Sequence, residues 1–291
     1  MRDHVVRGLY PASGIRAVFT RVGDTARMSR ALHGLYPTAA HLFAEALAAG
    51  LMVAALQKGR TRVNLQIECD GPARGLLVDA SPEGEVRGWA RAPAVHFPGD
   101  PRRGARAALG GSGFLSVIRD LGGGQLYRGA VELGAMEIAG DLRRYFAESE
   151  QLDTALDIQV AAGTGEPLSD AAGLLVQKLP DGDAAAVAAV RRRLTEGALS
   201  SALDRGSSAQ EALRAAAGDG FELLADQEVA YVCGCSRERA QAAVSVLGRE
   251  GILEILAGER QAVVSCEFCR QRYVIGEEEL LRIARRLDGE E

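Results

Sequence analysis

Four of the five cysteines lie in the last fifth of the chain: Cys233-Gly234-Cys235, then thirty residues, then Cys266-Glu267-Phe268-Cys269. Two close pairs from separate segments can supply the four soft ligands that a tetrahedral zinc site takes. The second pair has the common two-residue spacer. The first has a single-residue spacer, where Gly234 is expected to permit backbone angles that aim both sulfurs at one ion. No histidine lies in this region, so one zinc ion on Cys233, Cys235, Cys266 and Cys269 is the expected cofactor. Spacing admits a purely structural zinc knuckle. It also allows a second chemical state, in which Cys233 closes on Cys235 and Cys266 on Cys269. Metal-held thiolates are deprotonated and reactive, and an oxidant can carry them through sulfenic acid to a disulfide, which is a poor ligand.

Magnitudes give the consequence. Structural zinc contributes on the order of 10–16 kcal/mol in small peptide sites, whereas a domain of about 60 residues has only a few kcal/mol without a staple. Loss of the ion is therefore expected to unfold residues 231–291. It should also loosen any marginal segment packed on them, and the newly exposed apolar surface would bind other unfolded chains.

The elements that must position this cluster divide into three. Residues 1–178 read as a mixed α/β domain. Thr61 to Cys69 alternates, with Val63, Leu65, Ile67 and Cys69 on one face, and Cys69 is expected in the core. Arg74–Ala80, Leu115–Ile118 and Leu156–Val160 read as further strands. Thr38–Lys58, opened by Pro37, and Ile138–Gln151 read as helices. Residues 179–230 read as a helical linker of low intrinsic stability. Its stripe of Val187, Val190, Leu194, Leu199, Leu203 and Leu213 is thin, and Gly197, Gly206 and Gly218 interrupt it. Residues 231–291 form the small cysteine domain, with Ser236 as N-cap of a helix ending at Gly248, a strand over Ala262–Val264 and a final helix over Glu277–Leu287. The expected fold class is α+β.

Composition limits the function classes. The chain has 291 residues, 47% of them hydrophobic, which implies a real core. A net charge of −5 and only 5% aromatics argue against a nucleic-acid binder held by charge and base stacking. Residues 226–291 carry a net −4, and four thiolates with one zinc ion would add a further −2. The longest apolar run, Ala46–Leu56, has 11 residues, against the roughly 20 a bilayer needs. With no signal-peptide core at the N-terminus, no membrane contact and a cytoplasmic location are expected.

These residues together resemble the 33-kDa redox-regulated chaperonin family, the oxidation-activated holdases of bacteria. The resemblance spans essentially the whole chain. It is carried by Cys233-Gly-Cys-Ser-Arg-Glu-Arg239 and Cys266-Glu-Phe-Cys-Arg270, and by Tyr145-Phe-Ala-Glu-Ser-Glu-Gln151, Ala172-Gly-Leu-Leu-Val-Gln177, Asp70-Gly-Pro72 and Gly113–Gly122. It implies an N-terminal chaperone domain, a metastable linker and a zinc-binding redox switch. Reduced members hold zinc and are inactive. Oxidation forms the two near-neighbour disulfides, releases zinc and unfolds the C-terminal domain and linker. The opened protein dimerises and binds unfolded or partly folded clients without ATP, with no enzymatic activity.

Competing signals are weaker. Gly110–Gly113 and Gly122–Gly124 lack the Gly-Lys-Ser/Thr of a phosphate loop and read as turns. His33 and His41 read as packing residues, and Glu148, Ser149 and Glu150 as a solvated helix end. The alternative function is a zinc-ribbon adaptor that binds RNA or a protein partner while reduced. A thiol-disulfide oxidoreductase on Cys266 and Cys269 lacks the expected βαβ context.

Overall fold

The computed structural model describes residues 2–59, 61–163 and 166–287. The chain divides into two units, residues 1–232 and 233–291. The first begins with β1 (His4–Tyr10), β2 (Ile15–Arg21), α1 (Gly23–His33) and α2 (Pro37–Ala55). Strands β3 (Arg62–Cys69), β4 (Gly75–Ala80) and β5 (Glu85–Ala90) follow, then α3 (Pro101–Leu109), β6 (Gly113–Asp120), β7 (Leu126–Glu132) and α4 (Ile138–Glu148). Next come β8 (Thr154–Gly163), β9 (Glu166–Lys178), α5 (Ala184–Thr195), α6 (Ala198–Asp204), α7 (Ala209–Ala217), β10 (Glu222–Glu228) and β11 (Ala230–Tyr231).

Two sheets result. One has the order β10-β1-β2-β9-β8, the other β11-β5-β4-β3-β6-β7, and every pairing is antiparallel except β11 on β5. Helix α2 lies between them. It is apolar on nearly every side, a composition that suits a buried helix, and all of its residues except Pro37 and Glu45 are buried. By length and composition it could cross a bilayer, yet its surface is spent on the two sheets. Gly50 lets the helix approach β4, since a Cβ there would fall 2.7 Å from Val78 Cγ1. On the other side Met52 fills the space over Gly173 of β9. Pro37 opens α2, where its missing N–H costs nothing.

The first sheet is buried on both faces. Leu156, Ala171 and Leu175 face the α2 core, while Ala172, Leu174 and Val176 join Val6, Ile15 and Phe19 on the opposite face. Helices α5–α7 cover that second face with Val187, Val190, Leu194, Leu199, Leu203 and Leu213. The stripe read as thin is thus complete once a sheet lies under it, and burying each such side chain contributes about 1.5–3 kcal/mol. These helices belong to the first unit, whereas loosening by zinc loss was expected of a segment packed on the cysteine domain. Asp183 caps α5 by accepting from Ala185 N at 2.8 Å, and Ser208 with Glu211 forms a capping box on α7.

The segment closing this unit is held differently. Strand β10 has exposed side chains, Leu223 and Leu224 among them, and depends on backbone pairing with β1. The register slips between Arg7 and Gly8, and a Cβ on Gly8 would stand 2.1 Å from Glu222 O and 2.5 Å from the Phe221 ring. After β10, the Tyr231 hydroxyl donates to Gly88 O at 2.9 Å and lies 3.1 Å from His33 Nε2. His33 is therefore the satisfied packing residue that was expected. Gly8→Val should expel β10 from the sheet edge. Hydrogen exchange at residues 222–228 should then accelerate at least tenfold, with 174–176 still protected; unchanged exchange at 222–228 would contradict this.

Candidate metal centre

The second unit contains α8 (Arg237–Ser245), α9 (Gly248–Ala257), β12 (Gln261–Ser265), β13 (Arg272–Gly276) and α10 (Glu277–Leu287). Among the described residues its buried core is seven side chains: Ala240, Val244, Ile252, Ile275, Leu280, Ile283 and Ala284. Helix α9 starts at Gly248, which was read as a stop. Gly248 has φ +70, so it breaks α8 from α9 while the apolar Ile252, Ile255 and Leu256 continue the helical pattern.

Each cysteine pair sits where the backbone changes type. Cys233 and Cys235 lie on the irregular segment entering α8, whose N-cap is Ser236, accepting from Arg239 N at 3.3 Å. Cys266 and Cys269 lie in the turn joining β12 to β13. There Arg270 N donates to Cys266 O at 2.8 Å, and Cys266 N donates to Gln271 O at 2.9 Å. The residue in left-handed geometry is Arg270, with φ +58. Gly234, expected to need such freedom, does not use it, and a Cβ there would meet nothing within 4 Å. The one-residue spacer reaches the site on ordinary backbone because the segment is irregular.

The fold brings all four expected residues together. Their sulfurs lie within 4.8 Å of one another, with Cys233–Cys266 at 3.6 Å and Cys235–Cys269 at 3.3 Å. Four sulfurs each about 2.3 Å from one ion would stand roughly 3.8 Å apart at tetrahedral corners. Thiolates this close repel one another. Burial, with the surrounding thiols adding to it, pushes Cys269 up to about 12. A divalent cation removes that conflict, and a thiolate set selects soft ions over magnesium or calcium. Cys69 takes no part. It ends β3, packs half-buried on the α2 core, and burial raises its thiol.

Two neighbours brace the cluster. Tyr273 on β13 places its hydroxyl 3.1 Å from Cys235 Sγ. Glu279 of α10 accepts from Arg237 at 2.9 and 2.6 Å, from Gln241 at 2.7 Å and from Gly276 N at 3.2 Å, tying α8 and β13 to α10. Neither was found in the sequence. The alternation of Tyr273 and Ile275 was the available signal for the first; a carboxylate reaching back to Arg237 left none.

Comparison with known proteins agrees with this geometry. A family model described as "Hsp33 protein" matches residues 3–276. The chain belongs to the Hsp33 family. A protein named 33 kDa chaperonin from Geobacillus kaustophilus is 33% identical, with 96% of this chain and 97% of that protein aligned. Another of that name from Geobacter sulfurreducens is 35% identical over 97% and 94%. The crystal structure of a 33 kDa chaperonin from Thermotoga maritima superposes with a TM-score of 0.89 at 27% identity, covering all of both chains. The protein is thus a chaperone of the Hsp33 type.

Within this Hsp33 chain, the segments that carried the resemblance outside the cysteines brace the fold. Asp70 accepts from Gly111 N, Ser112 N and Ser112 Oγ at 2.9–3.0 Å, which holds its carboxyl below the usual range. Buried Gln177 accepts from Arg16 at 2.7 Å and donates to Thr154 Oγ1 at 3.0 Å. Glu150, read as solvated, instead pairs with Arg119 and accepts from Tyr145 Oη at 2.7 Å. The left-handed turn at Gln151 ends α4 early and brings it there. Glu148 does remain exposed, beside Arg144.

The Arg237 guanidinium outweighs burial, which acts the other way, and lowers the Glu279 carboxyl to about 2. A depressed carboxyl stabilises the unit fully above its ordinary range and loses that contribution as pH falls through about 2. Glu279→Gln should therefore cost about 1 kcal/mol at neutral pH, partly exposed pairs being modest, and the difference from wild type should vanish in strong acid. Limited proteolysis of the full chain measures it; equal cleavage within 233–287 at neutral pH would contradict it.

Proposed function

We propose that the chain is a redox-switched, ATP-independent holdase whose resting state holds one zinc ion on Cys233, Cys235, Cys266 and Cys269. The observation that carries this is the meeting of four sulfurs within 4.8 Å in a unit whose buried core, among the described residues, is seven side chains. So small a core leaves the order of the unit dependent on its staple. Zinc supplies the positive charge and the tetrahedral tie. The protein supplies thiolates on two segments, each pair close enough in sequence to close on itself.

With peroxide as oxidant the electrons balance simply. A thiolate attacks one peroxide oxygen, the O–O bond breaks, and sulfenic acid and hydroxide result. The partner thiolate attacks the sulfenic sulfur, forming S–S and expelling a second hydroxide, which protonates to water. Two peroxides thus take four electrons and leave Cys233–Cys235 and Cys266–Cys269 bridged, with zinc free.

Disorder would then reach the preceding segment, because the Tyr231 anchor lies two residues before Cys233 and β10 is held largely by edge pairing. Release of α5–α7 would uncover Val6, Ile15, Phe19, Leu174 and Val176 together with the helices' own stripe. A surface of that kind binds unfolded or partly folded client proteins, and a second copy of the chain would cover it in a homodimer. The thiolate state requires a reducing compartment, in keeping with the cytoplasm. The acidic cysteine segment favours this reading over an RNA-binding zinc ribbon.

The test uses full-length, zinc-loaded protein treated with peroxide at elevated temperature. About one zinc per chain should be released, and aggregation of a chemically unfolded client should be suppressed far better than by the reduced form. Release of zinc with no gain in suppression would overturn the holdase function, and no bound zinc in the reduced protein would overturn the switch.

A further inference from the structure

Tyr273 sits on β13 two residues before Ile275, so the inward face of one short strand carries both a core side chain and a side chain that reaches the sulfurs. Its ring packs on the unit's core, and its hydroxyl meets Cys235 at 3.1 Å. Cys235 Sγ also lies 3.3 Å from Cys269 Sγ. A thiolate has no proton to give, so between these two groups only the phenol donates. The ring's packing fixes the position of the hydroxyl oxygen, which already stands within hydrogen-bond reach of the sulfur.

Resting on the metal site proposed above, we propose that Tyr273 is a positioning residue that donates its O–H to the Cys235 thiolate, locking that sulfur toward the metal and holding back its lone pair from oxidants. The chemistry is that of outer-shell support. A donor on a ligating atom fixes its orientation and tunes its charge, and loss of such a partner typically costs about 10- to 100-fold in metal affinity. A charge-assisted bond of this kind is also roughly twice as strong as a neutral one. Cys269 has a different support, the backbone N–H of Gln271, which no side-chain replacement removes. Tyr273 is thus an adjustable part of the sulfur surroundings, and its loss should make the ion easier to remove by chelation and by peroxide.

The test compares full-length Tyr273→Phe, which keeps the ring and removes the donor, with wild type and with Ile275→Val as a packing control on the same strand. In reducing buffer, competition with a chelator should show zinc bound about tenfold more weakly by Tyr273→Phe. In the cobalt-loaded protein, its sulfur-to-cobalt charge-transfer band should move to lower energy, because an unbonded thiolate gives up its electron more readily. Ile275→Val should leave the band in place. In wild type loaded with cadmium, the Tyr273 hydroxyl proton should show scalar coupling to the metal through the Cys235 sulfur, a readout that needs no variant. An unmoved band together with an absent coupling would overturn the role of Tyr273. Failure of wild type itself to bind zinc or cobalt would overturn the metal site instead.

Discussion

Four sulfurs held within 4.8 Å of one another become a concentration of negative charge once they are ionised. Protonation relieves the conflict and leaves the thiols in place; two other resolutions use the sulfurs chemically, a soft divalent cation at the centre or oxidation to disulfides. Both use the same atoms and they exclude each other. The rest of the second unit has little to add, because a core of Ala240, Val244, Ile252, Ile275, Leu280, Ile283 and Ala284 is small for the chain it must order. The Arg237–Glu279 clamp and the Tyr273 contact refine this arrangement and do not substitute for it.

The first unit has the opposite character. Its stability is distributed over a helix buried between two sheets and a second layer of helices on the outer face of one sheet. Losing any one contact there is local. What links the two characters is chain order. The last anchored residue of the first unit, Val232, whose N–H donates to Val86 O at 3.0 Å, stands directly before the first sulfur, Cys233. The small unit therefore follows directly on β10 and β11, the edge strands that close the large one.

How much of this was legible in the sequence follows from how local each signal is. The alternation of Val63, Leu65 and Ile67 and the run through α2 are local patterns, and both elements formed within a few residues of their expected limits. The four cysteines were legible because close spacing of a rare residue type survives without knowledge of the fold. The packing of α5–α7 on the first sheet was not, since a thin stripe of Val187, Val190 and Leu194 does not name its partner. Glu150 looked solvated because its partners, Arg119 and Tyr145, reach it only after the turn at Gln151. Gly234 was credited with a freedom that Arg270 uses instead, as a spacer's length says nothing of which residue makes the turn.

Order in residues 233–287 is proposed to depend on cation-bridged thiolates. Hydrogen exchange of the full chain tests it most directly, measured first reduced with zinc and then after chelation and complete thiol oxidation. Protection across α8–α10 should fall by several orders of magnitude while α2 and β9 stay protected. Retained protection of α8–α10 in the metal-free, oxidised chain would contradict the claim.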